Sequence, residues 1–179
     1  MKLYRSRVEA IAKKVIKDLS EEGHIEVEAS NRLEAIADLE AIMEQLLKRE
    51  GALREAVRDR MATLRISYDE YGKTRARIAK DWGHPLGSQI ERYLSSQFVE
   101  SFMVSPYIEE VFSDDYTMKR IIQGILLEFD VDEHALREEA RKLIKNVSEN
   151  SPEYEIRFEQ ALREVRVRHG LRSEKKKQR

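Results

Sequence analysis

Apolar residues recur along this chain at helical spacing. Val8, Ile11, Ala12, Val15, Ile16 and Leu19 fall at i, i+3, i+4, i+7, i+8 and i+11, on one face of a 3.6-residue repeat. Gly23 ends that run. Leu33, Ile36, Ala37, Met43 and Leu47, flanked by Leu39, Ile42 and Leu46, form a second stripe. Asn31 is its expected cap, with Glu34 three residues on as in a capping box. Leu53, Val57, Met61 and Leu64 predict a third helix beyond a break or kink near Gly51. A fourth starts at Ser67 or Asp69 and stops at Gly83, before Pro85. His24 to Glu28 alternates, with Ile25 and Val27 on one side, and reads as a short extended segment.

The pattern then returns. Ala52-Leu53-Arg54-Glu55 reads again as Ala135-Leu136-Arg137-Glu138, an offset of 83 residues (135 minus 52). At that offset Ile11 meets Leu94, Val15 meets Phe98, Leu39 meets Ile122, Met43 meets Leu126 and Tyr71 meets Tyr154. Matches are mainly apolar, so what repeats is a buried pattern. The fold expected is all-α, with two tandem copies of a four-helix unit packed together. Repeat 1 covers 1–84 and repeat 2 covers 85–171, joined through His84-Pro85-Leu86-Gly87-Ser88. The second copy reads as helices near 89–104, 115–130, 133–148 and 152–169. Asp114 or Asp115, Asp132 and Ser151-Pro152-Glu153 supply the last three start signals. Arg172 to Arg179 has no apolar residue and reads as a disordered basic tail.

Composition narrows the function classes. Seven Gly, three Pro and 37% charged residues in 179 suit long helices. The absence of Cys removes disulfides, thiolate zinc sites, iron–sulfur clusters and cysteine nucleophiles. No apolar run approaches the ~20 residues of a membrane span, and 1–20 lacks a secretory-type apolar segment. A cytoplasmic protein without membrane association is the expectation. Net charge is −1, but eight basic residues between Arg163 and Arg179 face two acidic ones, and Glu109 to Asp115 is acidic.

Differences between the copies single out residues. The helix around Tyr93 to Ile108 carries one charge, Glu100, with Phe98, Val99, Phe102 and Met103 among serines. A helix without charge on any face is enclosed, either by its own domain or in a self-association or partner seam. On that basis the second copy is the more buried half. In the fourth helix Arg75 stands where the second copy has Phe158, in line with Tyr71, Ile78 and Trp82. Its stem is expected to lie on the core, with the guanidinium stacking on the rings, pairing with a carboxylate or reaching water.

Catalytic and ligand motifs are lacking. His24, His84, His134 and His169 share no ligand spacing. Glu21-x-x-His24 has the form used in carboxylate di-metal bundles, but its second-copy equivalent is Tyr107, and no partner motif exists. No glycine-rich phosphate loop or nucleophile elbow occurs. No cofactor, metal or catalytic residue is therefore expected. Basic residues with interleaved aromatics keep nucleic acid open. Arg54, Arg58, Lys73 and Arg77 are the candidate contacts, although acidic residues among them also suit a solvated face.

Met1-Lys2-Leu3-Tyr4-Arg5, Glu22-Gly23-His24-Ile25-Glu26-Val27, Tyr71-Gly72-Lys73, Gly83-His84-Pro85 and Glu109 to Asp115 occur in an order that resembles the bacterial family called domain of unknown function 507, in a doubled form, over about residues 1–171. The resemblance implies bacterial origin, no activity and no functional residues to carry over. The function expected is a non-enzymatic protein-interaction or scaffold module, through a protein partner or self-association. The alternative is a nucleic-acid-associated protein using the basic faces of repeat 1.

Overall fold

The computed structural model describes residues 1–144 and 152–171. They are mostly helical. In chain order they form α1 (Val8–Glu21), β1 (Ile25–Glu26), α2 (Arg32–Leu64), α3 (Tyr71–Asp81), α4 (Gln89–Val104), β2 (Glu110–Val111), α5 (Asp115–Glu128), α6 (Glu133–Leu143) and α7 (Pro152–Arg168).

Most boundaries follow local chemistry. Gly23 ends α1 at φ +75°: its N–H donates to the Ser20 carbonyl and the His24 N–H to the Leu19 carbonyl. Gly83 ends α3 the same way at φ +58°, with His84 bonded back to Ala79. Asp114 caps α5 by accepting from the Thr117 N–H, and Asp132 caps α6 by accepting from His134 and Ala135. Asn31 makes no side-chain cap bond, so the expected capping box is not formed.

α2 runs unbroken through Gly51, correcting the two helices expected there. A helical glycine costs about 1 kcal/mol relative to alanine but keeps its backbone bonds. Here Met43 and Leu46 are buried before it and Leu53 and Val57 after it, which outweighs that cost. The helix expected to reach 148 is described as far as Leu143, and the Ser151 start signal and the basic tail at 172–179 lie outside the described residues.

Packing divides the chain into two units. One comprises Met1–Leu3 and Val8–Asp130; the other comprises Tyr4–Arg7 and the chain from Val131 onward. In the first, Ile11, Val15 and Leu19 of α1 join Leu39 and Met43 of α2, Leu94 and Phe98 of α4, and Met118, Ile122 and Leu126 of α5 in one core. Helices from both sides of residues 84/85 thus share one core, and the two packing units part at 130/131. Leu53 and Val57 of α2 meet Ile78 and Ala79 of α3 in a smaller cluster of the same unit. In the second unit Leu136 and Ala140 of α6 meet Ala161, Leu162 and Val165 of α7, together with Tyr4.

β1 and β2 pair antiparallel, with Ile25 opposite Val111 and Glu26 opposite Glu110. Since β1 joins α1 to α2 and β2 joins α4 to α5, the ribbon gathers four helix termini at one end of the first core. Ser105 Oγ, just past α4, donates to Asp38 Oδ2 of α2 at 2.7 Å and closes that end.

Candidate functional site

The ribbon end exposes large apolar side chains that a folded core would normally take in. Met103 and Val104 close α4, Phe112 follows β2, and Leu33 and Tyr116 sit in the first turns of α2 and α5. Their exposures run from 54% for Met103 to 81% for Val104. Phe112 also lines an open depression of about 490 Å³, together with Val27, Glu21, Glu26 and Arg32. Single exposed apolar residues are ordinary, whereas several at the helix termini of one end mark interaction surfaces.

Charge is concentrated at the same end. Residues 20–34 and 103–116 hold nine carboxylates and one basic side chain, Arg32, a formal net of −8. The whole chain carries −1, so everything else carries +7. Within the ribbon, Glu26 directly opposes Glu110, an arrangement that destabilises a strand pair. Loss of surrounding water, followed by the nearby Glu28 and Glu26 carboxylates, raises the Glu109 carboxyl above its ordinary value. The Thr117 N–H, followed by its hydroxyl, lowers that of Asp114.

His24 ties the two halves of this end together. Its Nδ1 lies 2.7 Å from Ser113 Oγ, and its Nε2 lies 3.3 Å from a Glu22 oxygen. A serine, an imidazole and a carboxylate in sequence have the outline of an acyl-transfer triad. The surroundings oppose that use, because an oxyanion forming at Ser113 would stand beside Asp114 and Asp115 in a field of carboxylates. The contact serves as a clasp between the β1 and β2 loops. Glu21 does not bond His24, and among the described residues no group of three or more His, Asp or Glu is disposed to hold a metal.

The interaction candidates from the sequence divide. Phe98, Val99 and Phe102 are buried in the first unit's own core, so they offer no contact surface to another molecule. Met103 is exposed and belongs to the ribbon end. α4 is not enclosed on every side: Glu100, Met103 and Val104 face solvent, while Ser95 makes internal contacts. Ser95 Oγ donates to the Arg92 carbonyl and accepts from Gln123 of α5. Nor is the chain beyond residue 84 the more buried part, since α1 buries Val8, Ile11, Ala12, Val15, Ile16 and Leu19 and α4 buries a similar set.

The four nucleic-acid candidates also divide. Arg54 pairs with Glu50 at 3.3 Å and Lys73 with Glu70 at 2.8 Å. Arg58 and Arg77 are exposed and have no ionic partner among the described residues. Glu50 is a hub. Arg75 Nη2 donates to both its oxygens at 2.9 Å, and His84 Nε2 lies 3.0 Å from Oε2. Arg75 is thus part-buried and paired with a carboxylate, one of the outcomes expected. His84 is 5% exposed and its Nδ1 is sealed without a partner.

Leu33, Val104, Phe112 and Tyr116 were not selected as site residues from the sequence. A signal existed at the 83-residue offset: Ser20 corresponds to Met103 and Glu21 to Val104, polar residues replaced by apolar ones at the end of a helix. Periodicity alone assigns such residues to a core.

Comparison with family models gives a match to "Protein of unknown function (DUF507)" over residues 1–171. The chain belongs to that family. No curated protein matches it. No helix among the described residues is long and apolar enough to cross a membrane.

Proposed function

We propose that the protein is a non-enzymatic interaction module whose contact surface is the ribbon end. The observation that carries this reading is the coincidence of exposed Met103, Val104, Phe112, Tyr116 and Leu33 with most of the chain's uncompensated negative charge. The test is quantitative recovery of proteins that co-purify with the tagged chain from its native cell. Met103, Val104, Phe112 and Tyr116 all changed to Ser should remove specific partners while the helical circular dichroism stays intact. Partners retained by that variant, but lost on changing Tyr68 and Trp82, would overturn the assignment.

A second reading is nucleic-acid association through the α2–α3 region. Unpaired Arg58 and Arg77, and the exposed Tyr68 stacked on a half-buried Tyr71, support it. Salt-dependent retention on nucleic acid, lost in Arg58→Glu with Arg77→Glu, is the result it requires. The 83-residue offset is read as a tandem duplication of a helical unit, although the single α2 of the first copy faces the separate α5 and α6 of the second. Leu53, Val57, Ile78 and Ala79 in one cluster, against Leu136, Ala140, Ala161 and Leu162 in the other, support it position for position.

A further inference from the structure

We infer that the ribbon end receives a cationic amphipathic helix of a partner protein, an inference that rests on the interaction reading above and specifies its partner. Charge selects among occupants. A net of −8 repels nucleic acid and anionic lipid surfaces. It equally opposes a second ribbon end, which would bring −8 against −8, so face-to-face self-association is disfavoured. A partner surface rich in Lys and Arg gains from the same field and relieves the Glu26–Glu110 opposition.

The backbone argues for a helix rather than an added strand. β1 and β2 are two residues each, too short a ladder to hold an extended peptide by main-chain bonds. Recognition must therefore run through side chains, which a helix displays on one face at i, i+3 and i+4. The recess suits a long basic side chain. Its stem would lie on Phe112 and Val27, and its head would reach Glu21 and Glu26. Arg32 already occupies the rim with the wrong sign for such a guest, which gives the proposal a directional test.

The probe is a fluorescent peptide of about five helical turns with Lys on one face and Leu on the other, titrated into the full chain by anisotropy. Control peptides replace Lys by Glu, or Leu by Ser. The Lys/Leu peptide should bind at least about tenfold more tightly than either control. Phe112→Ser with Tyr116→Ser, and Glu26→Lys with Glu110→Lys, should each weaken it by about tenfold. Arg32→Glu should tighten it by about threefold and guards against loss from misfolding. Leu143→Ser, in the other unit, should change nothing. Equal binding by the Glu/Leu or Lys/Ser peptide, or no response to Arg32→Glu, would overturn the inference. If the native partners vanish in the quadruple Ser variant but the Lys/Leu peptide shows no preference, the partner chemistry is wrong and the surface stands. If they persist, the surface itself is wrong.

Discussion

Two small clusters pack a helix hairpin with the same apolar positions 83 residues apart, yet they solve their polar problem differently. Leu53, Val57, Ile78 and Ala79 lie beside the Glu50 hub, where Arg75, Arg54 and a sealed His84 converge on one carboxylate. Leu136, Ala140, Ala161 and Leu162 are flanked by the stacked Tyr154–Phe158 pair, and Glu133, the counterpart of Glu50, bonds Arg166 at 2.9 Å. Apolar contacts are fixed by geometry, since a one-position slip turns a buried face outward. Ionic contacts need only a charge within reach, so the same carboxylate position can find its arginine from different places on the facing helix. The first cluster has the added burden of a buried histidine.

The comparison can be broken most strongly at its shared positions. Leu53→Ala and Leu136→Ala should each cost about 3 kcal/mol, measured by urea unfolding, because both leucines are buried. Markedly unequal losses would mean that the clusters are not equivalent in packing. A smaller effect, about 2 kcal/mol, is expected for Glu50→Ala, which leaves His84 and Arg75 without their carboxylate.

The histidine sharpens the contrast through pH. Burial, opposed by the Glu50 hydrogen bond, lowers the His84 imidazole below its ordinary 6.5. A base depressed in the folded state is kept neutral there, while the unfolded chain takes up its proton first. Its contribution is therefore complete above pH 6.5 and is lost as pH falls through the lower folded value. The urea midpoint should fall between about pH 7.5 and about pH 5, and His84→Gln should flatten that dependence. An unchanged slope in the variant would assign the dependence to other groups.

The mildest change is Gly51→Ala. Nothing lies within 4 Å of the added methyl, so stability should rise by up to about 1 kcal/mol in thermal unfolding. A loss instead would show that α2 needs the flexibility the sequence first implied.

How much was legible follows the same division. The α1 stripe and the Asp114 and Asp132 caps were read directly, because each is set by residues within one or two turns. Gly51 does not break α2, since one glycine's propensity is small beside the two buried stretches that flank it. Ile25 was placed in an extended segment, but its partner Val111 is set by tertiary pairing across 86 residues (111 minus 25), which no local pattern records. At the candidate site the charge-poor helix points to Met103, which the fold leaves exposed at its end. Val104, Phe112 and Tyr116 were missed because hydropathy reports what could be buried, not what the fold leaves outside.

The segregation of charge also has a chromatographic consequence. A molecule with a formal charge of −1 is expected to pass an ion exchanger almost unretarded near neutrality. With −8 gathered on one region and +7 over the rest of the chain, this protein should instead adhere to both quaternary-amine and sulfonate resins in the same low-salt buffer, each matrix binding residues of the other sign.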